Sequence, residues 1–313
     1  MSKTQRPTRV LLVHKITTWE RYRTQLQSSG QKDAEGSVVS SLQSAHAEHG
    51  DAVEYVRRSL SSDDLEIRSV QIATRQEVSW ADLVITLGGD GTFLRTARLV
   101  AGTPILGVNS APSSSVGHYC GATAQTFPEM FESILAKTAS VKGLPRIRIR
   151  VGDTVLADQA LNDVLFANAC PACSTRYRVE VGDRAERHTS SGVWVGTGSG
   201  SGSALKSAGG QAMPWTDSRL QYVVREAYLT PADDVALLGG LLGTGITLVP
   251  RSPDVMLYLD GHHVSYPLSL GVPVHLSGGG EPLHVIGYSP GKGAHLGMDG
   301  DSIVRPGVLP VGP

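Results

Sequence analysis

DLVITLGGDGTFLRTAR, residues 82–98, is the stretch that decides the fold of this 313-residue chain. Its apolar run at 83–87 lies between a charged residue and glycine, which is typical of a fully buried central strand. The turn GGDG follows at 88–91, and from Thr92 onward apolar residues recur at helical spacing. The stretch therefore predicts a buried strand, a tight turn and a helix in immediate succession.

The turn has the composition of an anion-binding site. Gly88, Gly89 and Gly91 carry no Cβ atoms, so backbone N–H groups can approach a phosphate, and the following helix N-terminus adds positive potential. Asp90 is the exception, because a carboxylate among phosphates costs free energy unless it holds Mg²⁺ or accepts a proton from an attacking hydroxyl. An ordinary β-turn is the alternative for these four residues. The flanking strand and helix favour the phosphate site.

Composition and charge limit the classes of partner. The chain has 28 Lys and Arg against 29 Asp and Glu, and no basic block interleaved with aromatic residues, so we expect no nucleic-acid partner. The first ten residues lack the apolar core of a secretory signal, and no uncharged run is long enough to cross a bilayer comfortably. We therefore expect no membrane partner and a cytoplasmic location.

The three cysteines argue against a disulfide scaffold, because their number is odd. Cys170-Pro-Ala-Cys173 has the spacing of a redox pair or of half a zinc site. A zinc site would need two further ligands, and Cys120 and His188 are the candidates. Structural thiols are the alternative, and the sequence favours them.

Two domains are predicted from the texture of the chain. Residues 1–143 alternate strand-like and helix-like segments, which predicts a doubly wound, Rossmann-like α/β domain whose ligands bind beyond the carboxyl ends of the strands. Short alternating runs separated by Gly, Asp and Pro fill residues 144–313, which predicts an all-β, sandwich-like domain.

Three features of the second domain suggest ligand binding. Asn162 and Asp163 could hold the vicinal hydroxyls of a ribose, although an Asx-turn is the alternative. The Gly/Ser-rich segment 190–210 follows a strand and suits contact with a phosphate or nucleotide, although such segments are commonly flexible linkers. The turn Asp260-Gly261-His262 carries a further carboxylate.

GGDGT at 88–92 resembles the signature shared by NAD kinases, 6-phosphofructokinases and diacylglycerol/sphingosine-type lipid kinases. Over most of the chain, the order of motifs is similar to that of NAD kinases alone: GGDGT, then Asn162-Asp163, then the Gly/Ser segment, then Asp260-Gly261. The segments 104–109 and 220–226 look most like the mitochondrial-type branch of that family.

This resemblance implies transfer of the γ-phosphoryl group of ATP to the 2′-hydroxyl of the adenosine ribose of NAD(H), which gives NADP(H). Asp90 would be the general base, and the phosphates would bind at Gly88, Gly89, Gly91 and Thr92. Mg²⁺ should accompany ATP without an all-protein metal site. By the same resemblance, the active unit is a homodimer or a larger homo-oligomer.

The resemblance also implies a set of dinucleotide-binding residues in the β domain. They are Asn162, Asp163, Ser191, Thr197, Ser199, Gly200, Ser201, Gly202, Ser203, Ser207 and His262. Several depart from the family pattern, which has Glu at 163, Asp at 191 and Gln at 262, and these departures leave the choice between NAD and NADH open.

Two other functions compete with this interpretation. A lipid kinase would share the GGDG turn but would need an apolar tunnel, which the polar Asn-Asp and Gly/Ser segments do not favour. A non-catalytic, dinucleotide-binding regulator would keep the cleft but would have no use for Asp90 among phosphates.

Overall fold

The computed structural model describes residues 7–29, 36–229 and 235–287. The first elements are β1 (Thr8–His14), α1 (Thr18–Ser29), α2 (Ser37–Ser59), β2 (Leu65–Val70), α3 (Arg75–Trp80), β3 (Leu83–Gly88), α4 (Asp90–Ala97), β4 (Ile105–Asn109), β5 (Cys120–Thr123), α5 (Phe127–Leu135) and β6 (Val141–Leu144).

The elements that follow are almost all strands. They are β7 (Arg148–Val151), β8 (Thr154–Val155), β9 (Asp163–Asn168), β10 (Thr175–Val181), β11 (Arg184–Ser190), β12 (Gly192–Gly196), α6 (Ala204–Ser207), β13 (Leu220–Arg225), β14 (Gly239–Leu242), β15 (Ile246–Pro250), β16 (Val255–Leu259), β17 (Ser265–Pro267), β18 (Val274–Ser277) and β19 (Leu283–Ile286). None of the helices in the described ranges is both long and apolar enough to cross a bilayer.

The first sheet has helices packed on both faces. Its strand order is β2-β1-β3-β4-β19-β6, with β5 beside β4, and every pairing is parallel except that of β6 with β19. Along β1, Leu11 and Val13 share a core cluster with α3 and α4, whereas Val10 and Leu12 share another with α2 and α5. Because side chains alternate between the two faces of a strand, β1 serves both cores. The predicted doubly wound α/β domain is confirmed.

The strand order creates a crevice at the carboxyl ends of β1 and β3. The chain leaves β1 for β2 on one side of the sheet, and β3 returns to pair on the other side, so the direction of winding reverses between β1 and β3. Lys15 directly follows β1, and its N–H donates to the carbonyl oxygen of Leu87 at 3.0 Å. The turn after β3 lies at the same crevice, where ligands of open α/β sheets bind.

The second domain is a β-sandwich of two six-stranded antiparallel sheets. Their orders are β11-β10-β15-β18-β7-β8 and β14-β13-β12-β9-β16-β17. Phe166 and Leu257 from one sheet pack with Tyr177 and Leu248 from the other in a single buried core. The predicted β-rich second domain is confirmed.

The structure differs from the predicted division of the chain in one strand. Residues 283–286 were assigned with 144–313 to the second domain, but β19 lies in the first sheet between β4 and β6. Leu283, Val285 and Ile286 are buried there, and this burial is the physical reason for the return. The buried guanidinium of Arg146, which donates to the carbonyl oxygens of Val100 (2.8 Å) and Ala97 (3.3 Å), also ties the β domain to the first domain.

Candidate active site

The glycines of the GGDG turn have different roles. A Cβ at Gly88 would lie 2.4 Å from Oγ1 of Thr92, and one at Gly89 would lie 2.5 Å from Oγ of Ser115. Around Gly91 there is open space. The lack of a side chain at Gly88 and Gly89 therefore lets the side chains of Thr92 and Ser115 approach closely, while Gly91 leaves the site accessible. Helix α4 begins at Asp90, two residues before the expected start, with the carboxylate in its first turn, where the helix dipole favours negative charge.

A cavity of about 390 Å³ opens at this turn. The residues that line it are Lys15, Ile16, Arg21, Gly89, Asp90, Gly91, Thr92, Arg95, Ser115 and His263. The cations among them are Lys15, Arg21 and Arg95. Of the described residues that line this cavity, Asp90 is the one with a carboxylate. Burial and the nearby guanidiniums of Arg21 and Arg98 lower the pKa of Arg95. Because these cations repel one another, a bound polyanion would be stabilised here.

Six of these lining residues were absent from the predicted site: Ile16, Ser115 and the four basic residues Lys15, Arg21, Arg95 and His263. Lys15 could have been found, because it ends β1 at the carboxyl edge where GGDG also lies. Arg95 could have been found too, since it follows Gly91 by four residues on a helix and so lies on the same face. Arg21 and His263 arrive from other parts of the chain, and no local sequence signal marks them.

Backbone hydrogen bonds hold the carboxylate of Asp90. Its Oδ1 accepts from the N–H of Tyr119 at 2.8 Å, and its Oδ2 accepts from the N–H of His118 at 3.0 Å. Each oxygen of an ionised carboxylate has a second acceptor site, so both bonds leave capacity for a further proton donor. The carboxylate is therefore oriented but still able to accept a hydrogen bond from a substrate.

Tyr119 connects this carboxylate with the β domain. Its phenol O–H donates to Oδ1 of Asn162 at 2.9 Å. Its ring stacks in parallel on Phe93, with centroids 5.3 Å apart, and lies 5.4 Å from the ring of Trp215. Burial raises the pKa of Tyr119, so the phenol remains a proton donor. Asp90 and Asn162 are thus joined through one residue, which bonds Asp90 by its backbone N–H and Asn162 by its packed side chain.

A second carboxylate orders the Asn-Asp pair. Asp260 accepts hydrogen bonds from the backbone N–H groups of Leu161 (2.9 Å), Asn162 (2.7 Å) and Asp163 (3.1 Å). Burial raises the pKa of Asp260 to about 6, and these three donors oppose the rise. Burial and the charge of Asp260 raise the pKa of Asp163 to about 7. Of the two carboxyl groups, Asp163 therefore holds a proton more readily than Asp260.

The side-chain amide of Asn162 completes a small cluster. Its Nδ2 donates to Oδ2 of Asp163 at 2.7 Å and to Oγ of Ser203 at 3.3 Å. The hydroxyl of Ser203 also donates to Asp163 at 3.3 Å. Three predicted dinucleotide-binding residues are therefore brought together, and Tyr119 links them to Asp90.

The Gly/Ser segment packs beneath Asn162 and is not a flexible linker. Thr197, Ser199 and Ser201 are buried. Thr197 Oγ1 and Ser199 Oγ donate to the carbonyl oxygen of Leu161 (2.6 and 3.2 Å), and Ser201 Oγ donates to that of Gly198 (2.7 Å). These hydroxyls support the protein's own backbone. Their contact with a dinucleotide stays a prediction.

Glycine is required in this segment at the point where it crosses Asn162. A Cβ at Gly200 would lie 1.9 Å from the carbonyl oxygen of Asn162, whereas nothing lies within 4 Å of one at Gly202. Ser207 is exposed on α6, and its hydroxyl donates to the carbonyl of Ser203 at 3.4 Å.

Ser191 and His262 do not line the GGDG cavity, although the ring centroid of His262 lies 3.9 Å from that of His263, which does. Ser191 and His262 both line a separate cavity of about 320 Å³ on the outer face of β9, beside Trp194 and Tyr258. The structure therefore brings the predicted dinucleotide-binding residues into two groups, one around Asn162 and the other around this cavity.

Comparison with known proteins identifies the family of the chain. The family model described as the ATP-NAD kinase N-terminal domain matches residues 10–139, which include the GGDG turn. A probable NADH kinase of Oryza sativa subsp. japonica is 35% identical over 230 residues, covering 66% of this chain and 70% of that protein. The NADH kinase of Arabidopsis thaliana is 29% identical over 277 residues, covering 79% and 86% of the two chains.

A solved structure shares the fold. The crystal structure of yeast NADH kinase complexed with NADH superposes with a TM-score of 0.67 at 16% identity, covering 96% of this chain and 91% of that one. The arrangement of an α/β domain followed by a β domain is therefore shared with that structure, and the 35% identity to the Oryza sativa protein shows the family. The chain belongs to the NAD kinase family.

Proposed function

We propose that the protein is an NAD(H) kinase that transfers the γ-phosphoryl group of ATP to the 2′-hydroxyl of the adenosine ribose of NAD(H), giving NADP(H). One observation carries this proposal: the carboxylate of Asp90 lines a cation-rich cavity and is joined through Tyr119 to Asn162. The cations proposed to bind phosphates line the same cavity as Asp90, and the residues proposed to bind the ribose are linked to Asp90 through Tyr119. Family membership supports the same reaction.

The cation-rich cavity suits the triphosphate of ATP. Lys15, Arg21 and Arg95 would bind its oxygens, while the open space at Gly91 leaves room for the phosphates at the start of α4. Phosphoryl transfer requires mainly positioning and charge neutralisation, so these cations supply much of what the protein must provide.

Asp90 is suited to act as the general base. The two backbone N–H groups fix its carboxylate, and its remaining acceptor capacity can receive the proton of the 2′-hydroxyl. On the other side, Asn162, Asp163 and Ser203 would orient the ribose, with Asn162 held by Tyr119. The attacking hydroxyl and the γ-phosphate would then meet at Asp90.

A requirement for Mg²⁺ is also part of the proposal. The described residues contain no group of three or more His, Cys, Asp or Glu side chains that could hold a metal ion. Mg²⁺ commonly keeps several waters and binds through substrate phosphates with few protein ligands, so it would enter with ATP rather than at an all-protein site. When bound with ATP, Mg²⁺ neutralises charge on the phosphate oxygens. Chelation with EDTA should abolish turnover, and added Mg²⁺ should restore it.

We further propose that the protein is a homodimer or a larger homo-oligomer located in the cytoplasm. The outer face of the sheet that contains β9 supports self-association, because Leu165, Trp194 and Tyr258 lie side by side on it and Leu241 is 47% exposed. Sedimentation equilibrium tests the assembly, and a single species at the monomer mass would contradict it. Cell fractionation tests the location.

The reaction itself is tested by a coupled assay. Purified protein is incubated with Mg-ATP and either NAD or NADH, and the product is read with a dehydrogenase specific for NADP. We expect product from at least one dinucleotide, and the ratio of the two rates gives the preference. Polyphosphate in place of ATP tests the donor. Binding of both dinucleotides without any product would contradict the proposal and favour the non-catalytic regulator.

A further inference from the structure

The Cys170-Pro-Ala-Cys173 segment forms a closed turn between β9 and β10. The N–H of Cys173 donates to the carbonyl oxygen of Cys170 at 3.0 Å, and the N–H of Cys170 donates to Oδ1 of Asn168 at 2.8 Å. Both cysteines are exposed and free, whereas Cys120 is buried. The two thiols are therefore accessible to reagents in solution and are held in one short loop.

The turn brings the two residues within reach of a disulfide bond. The first and last Cα atoms of a β-turn lie within about 7 Å, and disulfide-bonded residues have Cα atoms about 4.4–6.8 Å apart. The backbone hydrogen bond from Cys173 to Cys170 already closes this turn. Ring closure thus needs only local adjustment and leaves β9 and β10 in place.

The two thiols are chemically unequal. Hydrogen bonds from the Cys173 side chain and from the N–H of Ala172 lower the pKa of Cys170. The same hydrogen bond and the charge of Cys170 raise the pKa of Cys173. An attacking thiolate and a resolving thiol are the two parts that thiol–disulfide exchange requires.

A zinc site at this segment finds no support in the described part of the chain. Neither candidate ligand joins the pair, because the Sγ of buried Cys120 contacts the carbonyl oxygen of Gly88 at 3.9 Å and His188 Nε2 contacts Glu186 at 3.0 Å. No cluster of three metal-binding side chains occurs within the described residues. The sequence favours purely structural thiols at this segment. The structure does not support that interpretation, because both thiols are exposed.

The turn also forms one end of the cavity on the outer face of β9. Cys170 and Cys173 line this cavity together with Trp194 and Tyr258, and His262 lies toward its other end. Arg225 lies over the ring of Trp194, 6.0 Å from its centroid. Forming or breaking a disulfide bond between the two cysteines therefore alters the wall of the cavity that Trp194 also lines.

We propose that Cys170 and Cys173 are a reversible redox pair that low-molecular-weight disulfides oxidise to an intramolecular disulfide. The Cys170 thiolate attacks one sulfur of the small disulfide, whose S–S bond breaks and releases one thiolate. Cys173 loses its proton to solvent and attacks Cys170 Sγ, which expels the second thiol. Two protein thiols lose two electrons and two protons, and the small disulfide becomes two thiols.

The chemistry is tested with mixtures of oxidised and reduced glutathione, followed by acid quenching, alkylation and mass spectrometry of the intact protein. We expect one transition to a product that lacks two hydrogen atoms, carries no glutathione and returns to the dithiol with excess reduced glutathione. Cys173→Ser should accumulate a mixed disulfide at Cys170. Cys170→Ser should react more slowly, because its remaining thiol lacks the N–H of Ala172 that stabilises the Cys170 thiolate. Buried Cys120 is the internal control. Separate glutathionylation of both cysteines in the unmodified protein would overturn the proposal.

The effect on the cavity is tested by intrinsic fluorescence. We expect oxidation to change the emission of the protein, Trp194→Phe to lose that change, and Trp80→Phe, altered in the other domain, to keep it. Emission that is unaffected by oxidation, or an equal response in Trp194→Phe, would overturn the link between the pair and the cavity. Neither readout depends on kinase activity, so this inference and the proposed function fail or stand separately.

Discussion

The phenol hydroxyl of Tyr119 donates to Oδ1 of Asn162 at 2.9 Å, while the backbone N–H of Tyr119 donates to Asp90 at 2.8 Å. One residue therefore contacts both the proposed general base in the α/β domain and the proposed ribose-binding amide in the β domain. Its ring stacks on Phe93 and also contacts the ring of Trp215. Tyr119 is thus a positioning residue that fixes the distance between the two half-sites.

Removing this hydroxyl should weaken dinucleotide use selectively. Tyr119→Phe keeps the stacked ring and the N–H to Asp90 but removes the hydrogen bond to Oδ1 of Asn162, so only the bonds of Nδ2 to Asp163 and Ser203 still orient that amide. A hydrogen bond of this kind contributes about 1 kcal/mol, so kcat/KM for the dinucleotide should fall about five- to tenfold while KM for ATP changes little. Steady-state kinetics with each substrate varied in turn measures both.

Tyr177→Phe is the matched control for that variant. Tyr177 is also buried and its hydroxyl is hydrogen-bonded to Ser190 at 2.9 Å, but it lies in the sandwich core. We expect a comparable loss of stability without a change in kinetics. Asn162→Ala should weaken the dinucleotide more than ATP, and the double change with Tyr119→Phe should be less than additive. Equal effects on ATP and the dinucleotide would mean that the two half-sites are wrongly assigned.

Arg95→Gln should act on the opposite half-site. Because Arg95 lines the cavity proposed for the triphosphate, its loss should raise KM for ATP about tenfold or more and leave dinucleotide affinity nearly unchanged. Arg58→Gln is the control, since Arg58 is exposed on α2 and pairs with Glu54 on the same helix face. An unchanged KM for ATP in Arg95→Gln would place the triphosphate elsewhere.

Gly200 and Gly202 provide a matched test of the packed Gly/Ser segment. A methyl group at Gly200 would meet the carbonyl oxygen of Asn162, whereas one at Gly202 would enter open space. Gly200→Ala should lower the free energy of unfolding by about 2–4 kcal/mol, and Gly202→Ala by less than about 1 kcal/mol. Urea denaturation measures both. Similar stabilities for the two variants would restore the flexible-linker interpretation.

The fold class was predictable because strong local patterns coincide with it. The run 83–87 is apolar throughout, and β3 is buried at every position, as a central parallel strand must be. Alternating short runs after residue 146 likewise indicate strands that are buried on one face. The return of β19 was not predictable, because its four residues carry no signal for which of two sheets they will join.

The candidate site was predictable only where chain-local motifs contribute to it. Asp90, Asn162 and Asp163 lie in short motifs, and the structure brings them together. Tyr119, Arg21 and His263 reach the same region through tertiary contacts, and nothing in their sequence neighbours marks them. For Thr197, Ser199 and Ser201, the motif was visible, but the direction of each hydroxyl depends on packing against Leu161 that no sequence pattern reports.

The raised pKa of Asp163 has a consequence for stability. Its pKa of about 7 in the folded protein exceeds its usual value of 3.8. The folded state therefore binds the proton more tightly, and the stability that this proton provides is lost as pH rises from about 4 to 7. The amide of Asp163→Asn does not ionise, so this variant escapes the loss of stability. Its free energy of unfolding should rise relative to that of the unmodified protein by up to about 2–4 kcal/mol across that window.

Urea denaturation at several pH values tests this prediction. The difference in unfolding free energy between Asp163→Asn and the unmodified protein should grow from pH 4 to pH 7 and then level off. Taking the difference cancels groups that titrate in both proteins, such as His49, whose pKa burial lowers to about 4. A difference independent of pH would show that Asp163 titrates normally.

The central claim is that Asp90 takes the proton of the attacking hydroxyl, and Asp90→Asn tests it most directly. The amide has the same size and can still accept a backbone N–H but cannot act as a base. With Mg-ATP and the preferred dinucleotide, turnover should fall by about 10²–10⁴-fold, while calorimetry shows dinucleotide affinity within a few-fold of the unmodified protein. Asp82→Asn, which alters a carboxylate paired with Arg9 at the other end of β3, should keep its turnover. Unchanged turnover in Asp90→Asn would contradict the assigned role.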